Sequence, residues 1–172
     1  TPESDAVTRP SKPYVLVDRG YGHAGFAALS ISPRAAEQMV EWLSTKTGRT
    51  FRIPTETEMS HLLATSGVAS DTMTDFGWFE ENSDYTTHEV ASLDADANGL
   101  HDLWGNVSEY ATTSDGDYVV MGGSFIDPVE DVDGSLRIPF TPDWNADDPQ
   151  IPKSPWWLAS NDWVGVRVVC DP

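Results

Sequence analysis

Apolar residues recur at helical spacing in two early stretches of the chain and then break into short, tight bursts. Ala36, Met39, Val40 and Leu43 fall on one face of a helix predicted over about 33–47. Ser32 is placed to cap it, Pro33 suits its first turn, and Gly48 stands where a C-terminal cap belongs. Met59, Leu62 and Leu63 mark a second helix over about 55–66, opened by a Thr55/Glu58 capping box and closed by Gly67. From residue 68 onward Gly, Asn, Asp, Ser and Pro alternate with bursts such as DYVVMGGSF and WVGVRVV, which read as strands between ordered loops. Ahead of the first helix, residues 1–13 are polar with three prolines and predict an extended arm. YVLV at 14–17 then predicts a short strand. No internal repeat or linker divides the chain, so the pattern predicts one domain: two helices early and a loop-rich β half later.

Composition narrows what this domain can do. At 172 residues, 39% hydrophobic and 22% charged, the chain is long enough to bury a core and is not of the disordered class. It carries 28 Asp and Glu against 10 Lys and Arg, a net charge of −18. Such a surface repels phosphate backbones and argues against nucleic acid as a partner. Asp residues spread over 71–148 rather than forming a tail, a pattern that suits a solvated face first, then a salt-adapted source or divalent-cation sites. No run approaches the ~20 apolar residues of a membrane-spanning helix. Cys170 is the one cysteine, so no disulfide can form within the chain. Thr1 in first place suggests a trimmed, secreted protein, with a periplasmic or extracellular setting expected. Of the seven Trp, four fall late: Trp144, Trp156, Trp157 and Trp163. Such rings order a fold poor in regular structure, because each buries much area at small entropic cost.

Four segments in fixed order give a more specific reading: WLSTKTGRTFRIPTETEM at 42–59, NGLHDLWGNVSEY at 98–110, MGGSF at 121–125 and VGVRVV at 164–169. Together they resemble the signature segments of the formylglycine-generating enzyme, or sulfatase-modifying-factor, family. The resemblance spans about 14–170. It implies an α+β fold related to C-type lectins, with two early helices, small twisted antiparallel sheets and much irregular loop. That family opens with a strand and a further segment that have no match here. The resemblance therefore implies a domain over 14–172 lacking the usual N-terminal portion, completed by another protein chain or a cleaved sister fragment.

The family's oxidation chemistry rests on two cysteines just after the Gly-Gly-Ser-Trp motif, whose soft thiolates select copper(I). The matching stretch, GGSFIDPVEDVDGSLR at 122–137, has no cysteine, and Cys170 alone cannot make a two-thiolate site. Copper and formylglycine generation are not expected. A second branch of the family uses iron held by histidines. Here His23, His61, His88 and His101 show no ligand spacing, so iron is not expected either. The resemblance does imply calcium, held by the Asp102 side chain, the carbonyls of Gly105 and Val107, and Glu109. Hard oxygen donors, two carboxylates and a tight Gly turn suit that ion. Asp94, Asp96, Asn98 and Gly99 imitate the start of an EF-hand loop, but its twelfth position is Gly105 and helical flanks are missing, so these residues read as turn formers.

In so acidic a chain Arg137 and Arg167 are expected to pair with carboxylates. Arg137, at the end of the cysteine-free stretch, is also a candidate ligand contact, as are Trp144, Trp156, Trp157 and Trp163. The sequence thus points to a non-catalytic, calcium-stabilised binding or accessory subunit of a larger complex. The competing readings are a divergent metal-dependent oxidase of the same family and a carbohydrate-binding lectin-like module.

Overall fold

The computed structural model describes residues 24–172. The arm over 1–13, the strand expected at 14–17 and His23 lie outside the described residues. Helix α1 spans Pro33–Thr47. Its start is fixed by Ser32, which is extended (φ −77°, ψ 162°) and whose Oγ accepts the Ala35 N–H. Its end is fixed by Gly48 at φ 70°, whose N–H reaches the Ser44 carbonyl. Strand β1 is Phe51–Arg52, and helix α2 spans Glu56–Thr65 behind the expected capping box: the Thr55 hydroxyl accepts the Glu58 N–H while Glu58 accepts the Thr55 N–H. Both helices therefore stand where local capping chemistry puts them.

The β half is built from β2 (Ser108–Thr112), β3 (Tyr118–Met121), β4 (Ile138–Pro139), β5 (Val164–Gly165) and β6 (Val169–Cys170). Four of them form a sheet in the order β4-β3-β2-β5, and β6 pairs with β1 as a separate two-stranded ribbon. All these pairs are antiparallel except β2 with β5, which run parallel because the chain returns to β2 only after the long excursion over 140–163. Leu29 bridges to Gly165 beside β5, and Ile31 bridges to Trp157.

Alternation along β2 and β3 gives the sheet two apolar faces. Ala111, Val119 and Met121 face a cluster with Met59 and Leu63 of α2, Phe79, Leu103 and Trp104. Tyr110 and Val120 face the other cluster, with Ala36 and Val40 of α1, Leu158 and Val164. The two helices thus cover opposite faces of one small sheet. Each fully buried Met or Leu in these layers contributes roughly 1.5–3 kcal/mol. Among the described residues no helix is long and apolar enough to cross a membrane.

Candidate functional site

The loop before β2 is wound by a run of left-handed backbone: Asp102 at φ 52°, Gly105 at φ 70° and Asn106 at φ 57°. Gly105 has a second reason to be glycine, since a Cβ there would lie 2.4 Å from the Trp78 carbonyl oxygen. Asn106 is fully buried and joins three distant segments. Its N–H donates to the Trp78 carbonyl (2.8 Å), its own carbonyl accepts the Phe125 N–H (2.9 Å), and its side-chain amide exchanges hydrogen bonds with the His88 backbone. The segment over 102–109 is therefore held in place by backbone contacts before any ligand is considered.

Two carboxylates and one guanidinium meet beside this loop. Asp102 accepts the Ala91 N–H through Oδ2 at 2.7 Å, while its buried Oδ1 has no partner among the described residues. Glu109, 7% exposed on β2, accepts the Arg167 Nε–H at 2.6 Å, and the same guanidinium donates to the His101 carbonyl at 2.9 Å. Asp102, Val107, Glu109 and Arg167 line one cavity of about 400 Å3, whereas Gly105 does not line it. Burial pushes the Glu109 carboxyl upward, Arg167 opposes that shift, and the Asp102 charge adds to it. Glu109 in turn raises the Arg167 guanidinium, which stays protonated. Two carboxyl groups beside one guanidinium, one of them with an unmet oxygen, are a donor set that fits a hard cation.

The other sequence candidates divide between the core and a second cavity. Arg137 is bound into the fold: it pairs with Glu56 (3.1 Å), donates to the Ser60 hydroxyl (2.6 Å), and holds the carbonyls of Gly134 and Leu136. It ties the end of the 122–137 stretch to α2. Trp144 packs edge-on against Phe140 and Trp163, with ring centroids 5.5 Å and 5.2 Å apart, on the α1 face of the sheet. Trp156 lies under the Arg34 guanidinium at 4.8 Å. Trp157 lines a cavity of about 490 Å3 that shares no lining residue with the first.

The remaining candidates are engaged within the fold. His88 stacks on Trp78 at 3.7 Å with Nε2 at the Ser83 carbonyl, and His101 Nδ1 sits at the Leu93 carbonyl. Asp96 accepts the N–H groups of Asn98 and Leu100 and shapes a turn. Among the described residues no three His, Cys, Asp or Glu side chains are arranged to hold a metal together. Cys170 is a free, half-buried thiol on β6. In the cysteine-free stretch, Ser124 donates to Asp127 at 2.7 Å and is itself fully buried.

Residues that sequence reasoning missed are polar and buried. Asn106 is one. Asn145 and Asp148 are the others: Asn145 Nδ2 donates to Asp148 Oδ2 (3.4 Å) and to the Ser154 carbonyl (2.9 Å), and Asp148 Oδ2 accepts the Ser154 N–H. This polar pair folds the Trp-rich excursion over 140–163 around itself.

Comparison with known proteins fits this architecture. Residues 28–151 match the family model described as "Sulfatase-modifying factor enzyme 1-like domain". Comparison with curated proteins finds no match. Solved structures with a similar fold include PvdO from Pseudomonas aeruginosa, 20% identical with a TM-score of 0.63, covering 84% of this chain and 62% of PvdO. CarF is 17% identical with a TM-score of 0.59, covering 84% of this chain and 67% of its own. Treponema denticola variable protein 1 is 20% identical with a TM-score of 0.54, covering 72% of this chain and 49% of its own. The chain thus spans less than two thirds of PvdO and about half of the variable protein.

Proposed function

Starting from the sulfatase-modifying factor enzyme 1-like family, to which this chain belongs, we propose that the domain is a non-catalytic binding module stabilised by calcium. The observation that carries the first half is the stretch over 122–137. Where the family's thiolates are expected after the Gly-Gly-Ser segment, this chain has no cysteine. Its side chains there serve the fold instead: Ser124 bonds Asp127, Val132 packs into the buried core, and Arg137 clamps α2. Without a pair of soft donors, copper(I) has nothing to hold it.

The second half rests on the buried Asp102 Oδ1 and its neighbour Glu109, which share a cavity with a single guanidinium. Asp102 and Glu109 would hold calcium, with carbonyls of the same loop as neutral donors. The ion would supply charge neutralisation and a fixed loop conformation. Arg167 keeps Glu109 compensated when no metal is bound.

The test is a thermal unfolding scan of chelator-treated protein with calcium, with magnesium, and with sodium chloride at matched ionic strength. Calcium at about a hundred times its Kd should raise Tm by roughly 5–10 °C for a domain of this size. Asp102→Asn should remove most of that rise. An unchanged Tm in calcium overturns the metal reading, and stoichiometric copper or iron in the purified protein overturns the non-catalytic one.

A further inference from the structure

The 490 Å3 cavity lies between the start of α1 and the Trp-rich excursion, and its size falls in the ordinary range of small-molecule sites, roughly 300–1,000 Å3. Its apolar wall includes Tyr118, Phe140 and Trp157, and its polar rim includes Arg34, Glu37 and Lys153. None of these belongs to the cysteine-free stretch or to the Asp102–Glu109 cavity. The walls are held rigidly together. Ser32 donates through Oγ to the Pro155 carbonyl (2.5 Å) and through N–H to the Trp156 carbonyl (3.0 Å), while the Leu158 N–H reaches the Ser30 carbonyl (2.7 Å).

Charge at the rim runs against the character of the whole chain. Arg52, Arg137 and Arg167 are each paired with a carboxylate, whereas among the described residues Arg34 has the Trp156 ring beneath it and no carboxylate partner. The first turn of α1 carries no acidic residue, whereas that of α2 carries Glu56 and Glu58. Lys153 Nζ donates to the carbonyls of Asn145 and Ala146, which leaves one of its three N–H groups for another acceptor. The Trp157 indole N–H is buried with no acceptor among the described residues. Glu37, the one carboxylate among the described lining residues, accepts the Tyr118 hydroxyl, so the wall itself carries an acidic side chain. An acidic side chain there penalises a second negative group on any ligand.

We propose that this cavity binds a small aromatic monocarboxylate. Its ring would lie among Tyr118, Phe140 and Trp157, with its carboxylate at Arg34 and Lys153. The proposal rests on the reading of the domain as a binding module, and its readout is separate from the calcium-dependent change in Tm. The probes are indole-3-acetate, its neutral amide indole-3-acetamide, and cationic tryptamine, each titrated into the isotope-labelled full chain with backbone amide shifts recorded.

Indole-3-acetate should give saturable shifts confined to residues 32–37, 118 and 140–158. The amide should bind about tenfold more weakly, and tryptamine should give no saturable shift. Arg34→Gln should cost indole-3-acetate about tenfold while leaving the amide unchanged, and Arg34→Lys should recover part of the loss. The unperturbed peaks of each variant report that it remains folded. Equal binding of acetate and amide, shifts centred elsewhere, or no saturable shift with any probe overturns the proposal.

Discussion

Glu58 shows how much one side chain can fix when its neighbours are close in sequence. Its two oxygens accept the Arg52 guanidinium at 2.7 Å each, and Oε2 also accepts the Thr55 N–H and hydroxyl. The Arg52 hydrogen bonds, followed by the Thr55 backbone bond, hold this carboxyl down at about 2 against the usual 4.5. The stabilisation is therefore complete above the ordinary value and is lost as pH falls from there through about 2. The Glu58 side chain is 40% exposed, so solvent weakens the pair. With the cap included, Glu58→Gln should cost about 1–2 kcal/mol at neutral pH. Urea unfolding at pH 7 and again near pH 2 checks this, since the gap between wild type and variant should close at the lower pH. Glu109 is the buried counterpart. Arg167→Gln strips it of its guanidinium and should cost about 3–5 kcal/mol, because an uncompensated carboxylate is left inside. Glu109→Gln in the same background should restore a large part of that loss, read as a positive coupling in a double-mutant thermal scan.

At the scale of elements, the loops rather than the helices carry the tight tolerances. The backbones around 77–78 and 104–105 press on each other from both sides. A Cβ on Gly77 would lie 2.2 Å from the Trp104 carbonyl oxygen, and one on Gly105 would lie 2.4 Å from that of Trp78. Gly105→Ala should therefore cost upward of about 3 kcal/mol, through overlap and left-handed strain together. Gly116→Ala, in the β2–β3 turn with open space around it, should cost only about 1 kcal/mol from its positive φ. Calorimetric scans of the two variants side by side decide this.

The same contrast explains what the sequence made legible. Helices α1 and α2 could be placed almost to the residue because Ser32, Gly48, Thr55 and Glu58 act on backbone three or four positions away. Arg137 and Arg167 were expected to pair with carboxylates, and they do so with Glu56 and Glu109. Asn106 and Asn145 were not recognised as anchors, because an Asn before a loop reads as a turn whether or not it is buried. Their partners at 78, 88, 125 and 159 are reached only through the fold. The cavity beside Trp157 was hidden for the same reason. Its walls come from α1, β3 and the excursion after β4, and no spacing rule links those positions.

For the molecule as a whole, the charge of −18 sets the background against which every local interaction is measured. Most of the 28 carboxylates have no cation available to them, so the folded chain repels itself through solvent. Sodium chloride should act on that repulsion and on the ion pairs in opposite directions. The pairs at Arg52 are half-exposed and contribute little, and the Arg167–Glu109 pair is shielded from salt by burial. Net stabilisation by salt is the expected outcome: raising sodium chloride from about 10 mM to about 0.2 M shortens the screening length from ~30 Å to below ~10 Å and should raise Tm by a few degrees. A flat or falling Tm over that range would mean that the attractive pairs outweigh the spread of like charge. The salt curve also fixes the meaning of the calcium experiment. A divalent ion that only screens would stabilise to the same degree as magnesium. Calcium held by Asp102 and Glu109 should add a rise beyond both magnesium and ionic strength, and Asp102→Asn should return that excess to the magnesium curve.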